Sequence, residues 1–380
     1  MTNLPLRPTT LEIDLDAAAD NLRAVRGLIG PERKLFAVVK ADGYGFGAAE
    51  MGNVFARNGA DFLAVADLSE GLRLRQRGIT TPVLVYPNSL PEAAADTLAH
   101  GLVPTLVDLD AARAYSHAAA GPCEVFVKVD VGLERLGVPA EQAVKMILTM
   151  LELRHLRLGG LCAHPHAEVG GDPAYADWQL GRFTGVVDEL EARGIRVPVR
   201  LLAATPFVLR FPHTYLNAVD PGRMLYGMIL PGETPPVPLR PTFRALTTRV
   251  IACKELAPRE RFAELAPFPV TSAMRLGVIP IGSADGMRWL HAGRVLVRGR
   301  AVPIVGSPSL EHTRIDLTGV PDALVGDEVV IIGRQGDLEI TPAEVAARHG
   351  LGLHHVATTV GPRVTRVYLS DRPHAREDGS

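Results

Sequence analysis

Cysteine is scarce in this 380-residue chain. There are three, Cys123, Cys162 and Cys253, and none stands in a CxxC spacing. That argues against a disulfide framework or a zinc site and fits a reducing compartment. An excess of one charge is also missing: 40 Lys and Arg face 42 Asp and Glu, a formal net charge of −2. With no basic stripe, a nucleic-acid or anionic-membrane role has little support. No apolar run reaches the roughly 18 residues that a membrane span needs. The start, MTNLPLRPTT, lacks the long apolar core of a signal peptide. The expectation is a cytoplasmic protein. What is present is ordinary for a globular protein: 47% apolar and 22% charged residues. The length is enough for two domains with substantial cores.

The first two thirds of the chain repeat one pattern. Short β-rich runs alternate with longer Ala/Leu/Glu/Arg-rich segments of helical period. The runs are FAVVK (36–40), FLAVA (62–66), PVLVY (82–86), LVPTLV (102–107), EVFVKVD (124–130), LGGLCAH (158–164), VPVRLLA (197–203) and LNAVD (216–220). Eight strands alternating with helices predict an α/β fold, a closed TIM-type (β/α)8 barrel over residues 10–232. PGETPPVPLRP (231–241) reads as a linker. Beyond it, alternating strands separated by turn residues predict a mostly-β domain over 240–370. One helix is expected at TPAEVAARHG (341–350), with Thr341 as N-cap and Glu344 completing a capping box. The charged tail 371–380 is expected to be disordered.

A barrel gathers its chemistry at the C-terminal ends of its strands. Applied blind, that rule selects Lys40 and Tyr44 after the first run, and Lys128, Asp130 and Arg135 around the fifth. It then selects His164 and His166 at the sixth, Thr205 after the seventh, and Asp220, Gly222 and Arg223 at the eighth. A lysine at the end of an apolar strand is either a solvated terminus or an amine whose pKa burial lowers, ready for a Schiff base. The loops after strands seven and eight are the usual phosphate site of such barrels. Here they supply the Thr205 hydroxyl, backbone N–H groups of Gly222 and Arg223, and the Arg223 cation. An amine opposite a phosphate site is the minimum equipment for pyridoxal 5′-phosphate, PLP.

FAVVKADGYGFG, KVDVGLERLGV (128–138), GGLCAH (159–164), VDPGRMLYG (219–227), IPIGSADG (279–286) and IIGRQG (331–336) together resemble alanine racemase. The motifs run in order from about residue 10 to about residue 370. The resemblance implies a PLP-dependent racemase of fold type III, a head-to-tail homodimer in which the partner's β-domain completes each active site. It also implies that residues 1–10 join the β-domain. Lys40 then matches the Schiff-base lysine and one racemisation base. Tyr44, Thr205, Gly222 and Arg223 match phosphate ligands. Arg135 matches the arginine at the cofactor's phenolic oxygen and the substrate carboxylate. Lys128 matches a lysine that is often carbamylated. His164 matches the histidine beside the pyridine ring, with His166 competing for the assignment.

The sequence departs from that family in two important places. Asp220 stands where the family sets an arginine against the pyridine nitrogen. An aspartate would pair with a protonated nitrogen and make the ring a stronger electron sink, favouring a quinonoid; the alternative is that Asp220 turns away or pairs with Arg223. The family's second base, a tyrosine from the partner, falls on Glu264, which is either a carboxylate acid/base or a surface glutamate in a turn. The substrate-binding Met-Asp pair becomes Leu310-Glu311. Three readings follow. One is a PLP-dependent amino-acid racemase or epimerase using Lys40 and Glu264, whose substrate need not be alanine. A second is a non-racemising PLP enzyme: an aldolase, decarboxylase or transaminase type. A third is a PLP carrier without catalysis.

Overall fold

The structure is a computed structural model that describes residues 7–259 and 265–372. The chain divides into two compact units. One is Ala17–Arg240; the other combines the N-terminal segment through Asp16 with the chain from Pro241 onward.

The second unit owns the first strand, β1 (Thr10–Asp14). It pairs antiparallel with Phe243–Arg249 and parallel with Thr365–Leu369, inside a ten-stranded sheet. The barrel unit therefore begins at Ala17 rather than at residue 10. Every second residue of β1, Leu11 and Ile13, is fully buried, as a strand with one covered face requires. Pro342–His349 is the expected helix, and Thr341 Oγ1 accepts from Glu344 N at 3.0 Å. A second helix, Leu353–Thr358, follows it. In this unit Asp371 N donates to Asp16 Oδ2 at 2.8 Å, so the chain is anchored past residue 370; residues 373–380 lie outside the described residues.

The other unit is a closed barrel. Its strands are β2 (Lys34–Val38), β3 (Phe62–Val65), β4 (Val83–Val85), β5 (Val103–Leu106) and β6 (Cys123–Asp130), a two-residue β7 (Val138–Pro139) on the rim, then β8 (Leu156–Cys162), β9 (Val199–Ala204) and β10 (Ala218–Asp220). Neighbours pair in the order β5-β4-β3-β2-β10-β9-β8-β6, all parallel. The β5–β6 pairing closes the ring at eight strands, as predicted. Strands covered on both faces read as continuous apolar runs rather than alternations. The interior is filled by Phe36, Ala64, Leu84, Phe126, Leu201 and Ala218 among others, with Phe36 stacked on Phe62 at 4.4 Å between ring centroids. The filled interior makes the strand ends, not the lumen, the place where a ligand can sit. Among the described residues no helix is long and apolar enough to cross a membrane.

Candidate active site

Strand β2 ends at Val38, two residues before Lys40. The chain then makes an unusual turn. Ala41, Asp42, Gly43 and Tyr44 all take left-handed backbone angles, with φ of 53°, 52°, 62° and 57°. Non-glycine residues resist this conformation by roughly 1–2 kcal/mol each, so the surroundings must hold it. They do so with named bonds. Gly43 N donates to Val39 O at 2.8 Å and Gly47 N to Asp42 O at 2.8 Å. The buried Glu70 accepts from Asp42 N at 3.2 Å and Ala66 N at 2.8 Å, tying the turn to the end of β3. Tyr226 donates to Val38 O at 3.0 Å, and its ring packs on Tyr44, Phe46 and Phe55. Gly45 and Gly47 continue at positive φ, which explains the glycine spacing of ADGYGFG.

Lys40 thereby opens into a cavity of about 260 Å3, shared with Tyr86, Lys128, Arg135, His164 and Asp220. The six side chains come from or just after β2, β4, β6, β8 and β10. Burial lowers the Lys40 pKa; Asp220 opposes that shift, and Arg135 and Lys128 reinforce it. The amine is therefore closer to losing its proton than a surface lysine. His164 is pushed down to about 3 by burial and by the cations Lys40, Lys128 and Arg135, so its imidazole is neutral at physiological pH. His166 points elsewhere. It lines a separate cavity with Glu168, Tyr175 and Arg210, and its backbone N–H is held by Gln179. The histidine at the mouth is His164.

Asp220 is 4% exposed. The Tyr86 hydroxyl donates to its Oδ2 at 2.7 Å. Its Oδ1 is buried and has no hydrogen-bond partner among the described residues. Burial raises this carboxyl to about 6, against the lowering effect of the Tyr86 bond and of Lys40 and Lys128. The Lys40 and Lys128 ammonium groups each lie 5.6 Å from the centre of the Tyr86 ring, within cation–π reach. Asp220 does not pair with Arg223. The Arg223 guanidinium is engaged by Glu233 and by Met228 O, so what Arg223 can offer a ligand is its backbone.

Across the eighth strand's loop, Thr205 Oγ1 accepts from Gly222 N at 3.0 Å and from Met224 N at 3.4 Å. A Cβ on Gly222 would stand 2.2 Å from the Tyr44 hydroxyl. A phenol, a threonine hydroxyl and glycine backbone thus converge where any side chain on residue 222 would block the space. Arg135 reaches the cavity from a loop whose entry is fixed by Asp130, whose Oδ1 accepts from Gly132, Leu133 and Glu134 N–H groups.

Known proteins match both units of the chain. Residues 13–229 match the alanine racemase N-terminal domain, and residues 244–368 match the alanine racemase C-terminal domain. The chain belongs to the alanine racemase family. An alanine racemase of Desulfovibrio desulfuricans is 35% identical over 96% of this chain and 98% of its own length. One from Desulfosudis oleivorans is 36% identical over 94% and 96%. Among solved structures, alanine racemase from Clostridium difficile 630 superposes with a TM-score of 0.89 at 28% identity, covering 97% of both chains. The Bacillus anthracis enzyme with bound L-Ala-P does so with a TM-score of 0.89 at 29% identity over 96% of both. The likeness spans both units, so the chain is an enzyme of the alanine racemase type.

Within that family frame, the barrel unit brings together Lys40, Lys128, Arg135, His164 and Asp220, and separately Tyr44, Thr205 and Gly222. Leu310 and Glu311 belong to the other unit. Both are exposed, and Glu311 is ion-paired with Arg363. Glu264 lies outside the described residues. Two residues of the site are absent from the sequence-based expectations. Tyr86 closes the PVLVY run, so the strand-end rule extended to the third run points to it. Glu70 carries no such mark; it begins as an ordinary glutamate in the first turn of the helix Leu68–Gln76.

Proposed function

We propose that the chain is a PLP-dependent amino-acid racemase or epimerase acting through Lys40, in a head-to-tail homodimer. The observation that carries this reading is the pair lining one cavity: the Lys40 amine with its lowered pKa, and the buried Asp220 carboxylate, whose Oδ1 has no hydrogen-bond partner among the described residues. The residues fit the cofactor at both ends. Tyr44, Thr205 and the Gly222 and Arg223 backbone would hold the phosphate. Asp220 would meet the ring nitrogen. When bound, the cofactor supplies an electrophilic carbonyl and an electron-withdrawing ring that acidifies the substrate's Cα–H.

The rest is done by the chain. Lys40 holds the cofactor and moves a proton on one face of Cα. Arg135 anchors a carboxylate at the mouth. His164, kept neutral, adds no charge beside the ring. Glu264 of a second copy is the proposed acid/base for the opposite face, and Leu310 and Glu311 its proposed substrate contacts. The Asp220–Tyr86 pair stands where the family resemblance implies an arginine, and would change the electronics of the ring rather than what touches the substrate. It also supports a second reading, in which the same site runs decarboxylation, aldol cleavage or transamination.

The purified protein should carry a visible cofactor absorption that Lys40→Ala abolishes; a variant that keeps the colour refutes the role of Lys40. Single amino acids incubated in deuterated water separate the reactions. Exchange with inversion at Cα supports racemisation. Release of carbon dioxide or an aldehyde, or amination of the cofactor, supports the second reading.

A further inference from the structure

The Tyr86–Asp220 pair has no counterpart in the arginine that the family resemblance implies. We propose that Tyr86 is a positioning residue: its hydroxyl, bonded to Asp220 Oδ2, keeps this carboxylate anionic with Oδ1 open, so that a bound PLP holds its proton on the ring nitrogen. This rests on the PLP reading above and adds a residue and a protonation state to it.

The geometry allows little else. A buried carboxylate oxygen without a donor is costly, so Oδ1 is poised for one. A neutral pyridine nitrogen has no proton to donate, and only its protonated form satisfies that oxygen. The groups facing Asp220 are Lys40, Tyr44, Tyr86, Lys128 and the Cys162 thiol. Burial raises both phenols, and the thiol is pushed up to about 12, so none of the three is anionic near neutrality. Lys128 favours the carboxylate, as does Lys40 before it takes up the cofactor. Burial raises the Asp220 carboxyl to about 6 even with the Tyr86 bond in place; without that bond it would stand higher still and compete with a pyridine nitrogen for the proton. The Tyr86 hydrogen bond is stronger to the anion than to the neutral acid, and so tips the proton toward nitrogen.

Nitrogen NMR of the holoprotein, loaded with PLP labelled with 15N in the ring, reads this directly. The wild type should show a pyridinium-type signal at neutral pH, and Asp220→Asn a free-base signal. Tyr86→Phe removes one hydrogen bond to a charged group, so the ratio of nitrogen-protonated to free forms should fall about tenfold or more. Because the proton only moves within the pair, that fall should change little with pH, while far-ultraviolet circular dichroism stays unchanged. A free-base signal in the wild type overturns the proposal, as does a pyridinium signal that survives Asp220→Asn. An unchanged signal in Tyr86→Phe overturns the role of Tyr86. If Asp220→Asn does not fold, the wild-type signal and Tyr86→Phe still decide. A wild type that binds no PLP refutes the cofactor reading itself, a result distinct from bound cofactor with a neutral nitrogen.

Discussion

Gly222→Ala isolates the phosphate end of the site. Gly222 has φ of −96°, outside the left-handed region, so an alanine there is limited by space. The new Cβ would lie 2.2 Å from the Tyr44 hydroxyl oxygen, 3.1 Å from Cζ and 3.6 Å from Cε2. Tyr44 cannot easily withdraw. Its backbone sits in the left-handed turn, and its ring packs against Tyr226 at 4.9 Å between centroids. Overpacking of this kind costs about 1–3 kcal/mol. Taken from cofactor binding, that is roughly a 5- to 150-fold loss of PLP affinity. Tyr44→Phe alone should lose about 1.5–3 kcal/mol if its hydroxyl donates to the phosphate. In the double variant the atom at 2.2 Å is gone and the nearest remaining contact is the ring carbon at 3.1 Å. Its affinity should therefore sit close to that of Tyr44→Phe, well short of the product of the two losses. Fluorescence titration of the apoprotein with PLP gives all four constants of the cycle. Additive losses, or a Gly222→Ala protein that binds PLP normally, would refute the shared cradle.

Two further predictions concern stability. Asp220 rises from 3.8 to about 6 in the fold, so the folded state binds more protons than the unfolded chain between those values. Stability from this group is present at low pH and is lost as pH rises through about 6. The apoprotein of Asp220→Asn should therefore gain up to about 3 kcal/mol near pH 7, with the gain shrinking as pH falls toward 4. Urea unfolding at several pH values tests this, and a pH-independent difference counts against it. Glu233 is 4% exposed at the side chain and pairs with Arg223, which is 12% exposed. Glu233→Ala strands a buried guanidinium and the Leu230 N–H, and should cost about 3–5 kcal/mol; a loss below about 1 kcal/mol in urea unfolding would show that the pair contributes little.

The legible part of this protein is what short-range pattern encodes. Strands β2 to β6 and β8 to β10 follow the eight apolar runs because a parallel barrel strand, covered on both faces, has no reason to alternate. Lys40, His164, Thr205 and Asp220 are found by one rule, polar residues just past such a run. The rule stops where a residue's meaning depends on a distant partner. Thr10–Asp14 looks like a lead-in to the barrel, yet it pairs with Phe243–Arg249 and Thr365–Leu369, 230 or more residues away. Arg223 reads as a phosphate cation, but Glu233 occupies its guanidinium. The end of β2 reads as running to Lys40, but the strand stops at Val38 and a left-handed turn presents the lysine.

The amino-acid sequence by itself determined the barrel, the following β-rich domain and the lysine at the mouth. These follow from periodicity and local turn chemistry, which neighbouring residues carry. Only the tertiary structure decided the electrostatics of the site. Tyr86 and Asp220 are 134 residues apart, and their bond exists because β4 and β10 end at the same mouth. Whether Asp220 is an idle acid or a buried anion with one open oxygen depends on that closure, since burial and hydrogen bonding, rather than residue type, set a carboxylate's charge.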